Sequence, residues 1–84
     1  MAPVTTRVLV ATARPYDVTL ALCEAGYEVI YVGEQPAQAL LAAAEQEDVA
    51  AILLPTDTGE LADSGFRIIE VAGSTYADVV AQLP

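Results

Sequence analysis

Four short apolar runs, separated by stretches with helical periodicity, constrain the fold of this chain more than any other feature. The runs cover residues 7–11, 27–32, 49–54 and 66–71. The first and third lack polar alternation and are too short for helices, which is typical of parallel strands covered on both faces. Arg67 and Glu70 interrupt the fourth run, which favours an edge strand. The order of elements is therefore predicted to be βαβα.

The first two helices have recognisable ends. Pro15 suits the first position of a helix that ends near residue 25, and Gly26 is placed to terminate it. Pro36 opens the second helix in the same way, and the acidic stretch 45–48 predicts a solvated surface turn. The apolar residues at helical spacing are Val18, Ala21, Leu22 and Ala25 in the first helix, Ala37, Leu40, Leu41 and Ala44 in the second, and Tyr76, Val79, Val80 and Leu83 in the last.

The stretch after the third strand is the least regular part of the pattern. Pro55 ends that strand because proline has no backbone N–H to donate. Residues 56–60 predict a loop that leads into a short or irregular helix, with Asp57 as its N-cap. Thr75 and Asp78 then form a capping-box pattern, which predicts the start of the final helix.

Parallel strands joined by helical crossovers predict a doubly wound α/β sheet. Such crossovers are right-handed in nearly all cases, so the economical arrangement is a four-stranded parallel sheet in the order 2-1-3-4. Its topological switch lies between the first and third strands. We expect the loops 12–17 and 55–59 to meet there, beside residues 73–75, and any ligand to bind between them.

Composition excludes several classes of function. The 84 residues are enough for one domain, residues 1–84. Three basic residues against twelve acidic ones leave a net charge of −9, which disfavours nucleic acid and membrane surfaces as partners. With no histidine and a single cysteine, the chain lacks the commonest acid–base group and any multi-thiolate metal site. We therefore expect neither catalytic residues nor a bound metal.

No segment of the sequence resembles a targeting or membrane-spanning region. No apolar run approaches the roughly 18 residues of a membrane span, and the N-terminal residues lack the charged and apolar regions of a signal peptide. These features predict a cytoplasmic location. Neither a Gly-x-Gly-x-x-Gly motif nor a Walker loop is present, so dinucleotide and nucleoside triphosphate chemistry have no support.

Several stretches resemble the cobalamin-binding domain of methylmalonyl-CoA mutases and related corrinoid proteins. They are residues 7–11, 24–33 and 43–49, with residues 71–75 similar to the Gly-Thr turn before that family's last helix. The most specific pieces are Gly-Tyr-Glu-Val-Ile-Tyr-x-Gly and Gln-Glu-Asp-Val. The resemblance covers most of the chain and implies a flavodoxin-like or Rossmann-like domain that lacks one strand and one helix of the family's five-stranded unit.

The chain departs from this family at the residues that hold the cofactor. The family carries an Asp-x-His-x-x-Gly motif whose histidine ligates cobalt, whereas this sequence has no histidine, and the short loop 12–17 replaces the motif. Asp17 is therefore not assigned the role of the motif's aspartate. Thr56, Thr58 and Gly59 stand where the family has a serine-rich turn beside the nucleotide tail. The resemblance thus implies a scaffold that has lost cobalt ligation, and no cofactor is expected.

The candidate ligand-binding residues lie in the three loops predicted to meet. They are Arg14, Tyr16, Thr56, Asp57, Thr58, Gly59, Gly73, Ser74 and Thr75. Arg14 beside a helix N-terminus suits a phosphate or a carboxylate, but an exposed loop arginine is the favoured interpretation. Asp57 and its neighbours suit a ligand cradle or a magnesium ion, and also an ordinary turn. Residues 73–75 have donors for an anion and also the composition of a helix cap.

One cysteine and four aromatic residues have simpler interpretations. The chain has no histidine or lysine that could activate the Cys23 thiol, and we predict a buried small hydrophobe rather than a nucleophile. Core or half-core packing is predicted for Tyr27, Tyr31, Phe66 and Tyr76. The alternative is a contact surface formed by Tyr31, Phe66 and Tyr76.

These observations predict a non-catalytic domain that binds another protein or a second copy of itself. The edges at the second and fourth strands, with their helices, are the predicted contact surface. One alternative is a small-ligand binding protein that accepts a corrinoid without histidine ligation, or a nucleotide-like molecule, at the switch-point loops. A further alternative is a small accessory subunit of a B12-dependent acyl-CoA mutase.

Overall fold

The four apolar runs form one parallel sheet in the computed structural model, which describes residues 6–13 and 16–83. The strands are β1 (Arg7–Val10), β2 (Glu28–Tyr31), β3 (Ala51–Leu54) and β4 (Arg67–Glu70). Their order is β2-β1-β3-β4, with all three strand pairs parallel. The predicted fold class and strand order are confirmed, and β2 and β4 are the edge strands.

Three helices lie on the sheet within the described residues. They are α1 (Asp17–Glu24), α2 (Ala37–Glu47) and α3 (Tyr76–Gln82). None of them is long and apolar enough to cross a membrane. The short helix predicted after β3 is absent, and turns occupy that segment instead. Gly59 and Gly65 adopt φ values of +85° and +87° there, and such left-handed residues interrupt a right-handed helix.

Two apolar cores form, one on each face of the sheet. On the first face α1 and α3 cover a core that includes Val8, Leu22, Leu53 and Val79, all fully buried. On the second face α2 and the turn segment after β3 cover a core of Leu9, Ala11, Leu40, Ala44, Val49, Ile52 and Leu61. Burial on both faces explains why β3 is apolar throughout and why β1 is apolar after Arg7.

The helix ends follow local chemistry, with two departures from prediction. Thr75 and Asp78 form the predicted capping box, with N–H to side-chain oxygen distances of 3.1 and 3.2 Å. Pro36 is the N-cap of α2 and not its first helical residue, while Pro15 lies outside the described residues. Buried Thr19 was not predicted: its hydroxyl contacts both the N–H and the carbonyl of Tyr16, which stabilises the start of α1.

The acidic stretch 45–48 forms the last turn of α2 and its C-cap, which corrects the predicted surface turn. Only Asp48 leaves the helix, as a left-handed C-cap with φ of 52°. The Arg7 guanidinium donates to the Glu47 carbonyl at 3.1 Å and to the Glu28 carboxylate at 2.9 Å. Because a cation near a helix C-terminus complements the macrodipole, Arg7 offsets the acidic helix end.

Three side chains are more exposed than predicted. Cys23 is exposed and not buried, because the inward face of α1 consists of Val18, Thr19 and Leu22 and the next residue turns about 100° away from it. Tyr31 and Tyr76 are 44% and 40% exposed, at the end of an edge strand and the start of α3. Tyr27 and Phe66 are half-buried, as predicted.

Candidate functional site

The carboxyl ends of the strands are joined by backbone hydrogen bonds at one edge of the sheet. The Ala11 N–H donates to the Leu53 carbonyl at 3.0 Å, and the Val71 N–H donates to the Leu54 carbonyl at 2.8 Å. One residue later, the Ala72 N–H donates to the Pro55 carbonyl at 3.1 Å. The chain segments that leave β1, β3 and β4 are thereby held together, as expected at a topological switch point.

A cavity of about 210 Å³ opens at this edge, on the face covered by α2. We call it the switch-point crevice. Its apolar wall comes from Ala11, Ala37, Leu40, Leu54, Pro55 and Leu61, and its polar lining from Glu34, Gln35, Thr56, Thr58 and Glu60. These residues come from the segments that follow β1, β2 and β3 and from the first turn of α2. Such a mixture of apolar wall and few polar groups is typical of small-molecule sites.

The electrostatic environment of the crevice is acidic. Glu34 and Glu60 both line it, whereas no described lysine or arginine does. Arg7 and Arg67 are the first residues of β1 and β4 and so lie at the opposite, amino edge of the sheet. Arg14 lies outside the described residues. The lining therefore disfavours phosphate and other anions.

Two of the predicted site residues line the crevice, and their neighbours form a turn. Thr56 and Thr58 contribute to the lining. The Asp57 N–H donates to a Glu70 carboxylate oxygen at 3.1 Å, and the Asp57 carboxylate accepts from the Gly59 N–H at 2.9 Å. An aspartate that accepts from the N–H two residues later is an Asx turn. Asp57 and Gly59 thus have structural partners that explain their residue types.

The other described residues of the predicted site are Tyr16 and residues 73–75, which lie beside α1 and α3. Tyr16 is half-buried against the core beneath these helices. The Ser74 hydroxyl donates to the Glu70 carbonyl at 2.8 Å, Gly73 adopts a φ of +76°, and Thr75 caps α3. None of them lines the switch-point crevice. This group therefore does not contribute to the cavity that Thr56 and Thr58 line.

A hydroxyl contact that was not predicted connects the ends of β1 and β2. The Tyr31 hydroxyl donates to the Thr12 carbonyl at 3.0 Å and lies 2.9 Å from the Thr12 hydroxyl oxygen. Thr12 is fully buried, although it belongs to a loop. The strand register, which pairs Val10 with Tyr31, places the two side chains together. This contact holds Thr12 in place directly after Ala11, which lines the crevice.

Sequence reasoning missed the part of the crevice contributed by α2. Glu34, Gln35 and Ala37 follow β2, and only the loops after β1, β3 and β4 were predicted to hold a ligand. The helical spacing of Leu40 predicts a core residue and does not reveal a cavity beside it. No pattern in the sequence singles out Leu61. The available signal was Pro36: by marking the start of α2, it indicates that the neighbouring residues lie at the same edge of the sheet as the other loops.

Comparison with family models, with curated proteins and with solved structures finds no match to this chain. The resemblance to cobalamin-binding domains therefore stays a prediction.

The residues of the crevice do not fit a corrinoid. The sequence has no histidine to ligate cobalt, and about 210 Å³ is below the roughly 300–1,000 Å³ of a typical drug-sized ligand site. Across residues 6–13 and 16–83, no group of three or more cysteine, aspartate or glutamate side chains is arranged to hold a metal ion.

Proposed function

We propose that this chain is a non-catalytic binding domain that holds a small neutral or cationic organic molecule in the switch-point crevice. The observation that carries the proposal is the position of an apolar-walled cavity at the strand ends where doubly wound sheets bind their ligands. Backbone hydrogen bonds hold the loops around it, so the cavity is largely formed before a ligand binds.

The lining defines the chemistry of this ligand. An apolar group of the ligand would pack against Leu40, Leu54 and Leu61, and a hydroxyl, amide or amine would bond to Gln35 or to the threonines. Glu34 and Glu60 favour a neutral or positively charged group over a phosphate. The lining thus supports a ligand that is smaller and less anionic than the corrinoid or nucleotide-like molecule considered from the sequence.

Binding is a better description than catalysis because the threonine hydroxyls of the crevice are not hydrogen-bonded to an activating group. The hydroxyls of Thr56 and Thr58 make no hydrogen bond with a carboxylate among the described residues, so neither has a base to activate it as a nucleophile. The predicted absence of catalytic residues remains part of the proposal.

Fragment binding followed by ¹H–¹⁵N NMR tests the proposal. We expect small amines and neutral amides to shift the amide signals of Ala11, Thr58 and Leu61 at millimolar concentration, which corresponds to about −4 kcal/mol of binding free energy. Carboxylate and phosphate fragments of similar size should shift them less. A screen in which no fragment moves these signals, or in which phosphates move them most, would contradict the proposal.

Two alanines of α2 supply a matched pair of variants. Ala37 lines the crevice and is half-buried, whereas Ala39 is exposed on the same helix and does not line it. Ala37→Leu should fill the cavity and abolish the fragment shifts. Ala39→Leu should leave them unchanged, because leucine is nearly as favourable as alanine in a helix.

A second candidate function is association with another protein or with a second copy through the sheet edges. It is favoured by the exposure of Leu20, Tyr31 and Tyr76, which are 54%, 44% and 40% exposed, and by the open edges of β2 and β4. Light scattering across a dilution series tests self-association: a mass above 8.8 kDa that falls on dilution supports it, and a monomer at every concentration excludes it.

A further inference from the structure

The open edge of β4 presents one residue whose backbone groups are free to pair. The Val71 N–H donates to the Leu54 carbonyl of β3. Successive residues of a strand direct their backbone groups to alternate sides, so Arg67 and Ile69 also face β3, while Ile68 and Glu70 face the open edge. Among the described residues, the Ile68 N–H and carbonyl have no hydrogen-bond partner.

Side chains close this edge on either side of Ile68. The Ser74 hydroxyl donates to the Glu70 carbonyl at 2.8 Å, and the Ser64 hydroxyl accepts from the Phe66 N–H at 3.2 Å. Unpaired edge groups recruit another strand. The segment around Ile68 is therefore the part of the β4 edge that remains available to one.

A groove runs beside this segment. Its volume is about 610 Å³, and it is lined by Ala50, Asp57, Ala62, Gly65, Phe66, Arg67 and Ile68. Phe66 and Ile68 are half-buried and offer apolar contact area. Main-chain pairing at a sheet edge, combined with a groove for alternate side chains, is how extended peptides bind by strand addition.

The charged side chains around the groove indicate the charge of the partner that it would bind. Asp57 and Arg67 both line the groove, and the Glu70 carboxylate lies beside it because it accepts from the Asp57 N–H. Two carboxylates against one guanidinium leave the groove acidic on balance. The chain as a whole carries a net charge of −9, so two copies repel each other while a basic partner is attracted. Charge complementarity therefore favours a foreign basic segment over a second copy.

We propose that β4 accepts an extended, basic segment of another protein as a fifth strand. Its backbone would pair with Ile68, an apolar side chain would occupy the groove against Phe66, and a lysine or arginine would face Asp57 and Glu70. This inference narrows the second candidate function to one edge and one kind of partner, and it does not depend on the switch-point crevice.

The test uses two capped nine-residue peptides, one alternating valine with lysine and one alternating valine with glutamate. We expect the lysine peptide to shift the ¹H–¹⁵N signals of Ile68 and Glu70 with saturation, and the glutamate peptide to have at most a weak effect.

Ile68→Pro removes the outward N–H and should weaken binding at least about fivefold. Asp57→Asn keeps the acceptor for Gly59 and removes the charge, and should weaken binding about two- to fivefold.

Val29→Pro is the matched control for Ile68→Pro. Val29 lies on β2. The Glu28 N–H donates to the Thr6 carbonyl just before β1, and the Val32 N–H donates to the Val10 carbonyl, so by alternation the Val29 N–H faces an open edge. Proline is tolerated at such edge positions, and this variant should bind the lysine peptide normally. Equal loss in both proline variants, equal binding of the two peptides, or no shift at millimolar peptide would overturn the inference. So would shifts at Ile68 that grow with protein concentration alone, because they would show a second copy at this edge.

Discussion

Replacement of Leu22 by alanine tests how α1 lies on the sheet. The Leu22 side chain is fully buried in the core beneath α1 and α3, whereas Leu20, two residues earlier, is 54% exposed. Truncation of a buried leucine costs about 2–5 kcal/mol, from lost transfer free energy and the cavity left behind. A domain of 84 residues has roughly 4–12 kcal/mol of total stability. Leu22→Ala should therefore remove a large share of it.

Urea unfolding followed by far-UV circular dichroism measures this loss. We expect Leu22→Ala to lower the unfolding free energy by about 3 kcal/mol, and the melting temperature by roughly 4–8 °C for each kcal/mol. Leu20→Ala should change the free energy by less than about 0.5 kcal/mol, because that site is exposed. Leu22→Met conserves volume and should cost less than about 1.5 kcal/mol. Equal losses in Leu22→Ala and Leu20→Ala would refute the assigned orientation of α1.

Three further substitutions probe local contacts. Tyr31→Phe removes the hydroxyl shared with Thr12 and should cost about 1 kcal/mol in urea unfolding; an unchanged midpoint would mean that water replaces the hydroxyl without cost. Thr75→Ala removes the acceptor for the Asp78 N–H and should cost about 1 kcal/mol, while Thr75→Ser retains it; the two variants should differ in thermal unfolding. Asp48→Gly should raise stability by up to about 1 kcal/mol, because glycine adopts the observed φ of 52° without strain; a lower melting temperature would count against this account of the C-cap.

The regular elements of the fold could be predicted because each depends on short-range pattern. The apolar runs at β1 and β3 follow from burial on both faces, and the Thr75–Asp78 capping box forms as its spacing indicates. The segment after β3 could not be assigned in the same way. Its residue types are typical of the start of a helix. The segment forms turns instead, because Gly59 and Gly65 adopt left-handed backbone conformations.

The candidate site was predictable only in outline. The switch-point rule indicated the edge of the sheet at which a cavity lined by Thr56 and Thr58 opens. The rule also groups residues 73–75 with them, but these residues do not line the cavity and lie at the start of α3. Which face holds the crevice depends on how α2 and Leu61 fill the space over Ala11, and that is a matter of side-chain volume in three dimensions.

Periodicity and turn residues are sufficient to determine the strand order of this chain, because right-handed crossovers leave few ways to connect four parallel strands. They are not sufficient for exposure, as Cys23 and Tyr31 demonstrate, since exposure depends on which neighbours cover a residue. The crevice and the unpaired Ile68 edge likewise exist only through contacts between segments distant in the chain. Local pattern is encoded residue by residue, whereas a cavity or an open edge is a property of the space between packed elements.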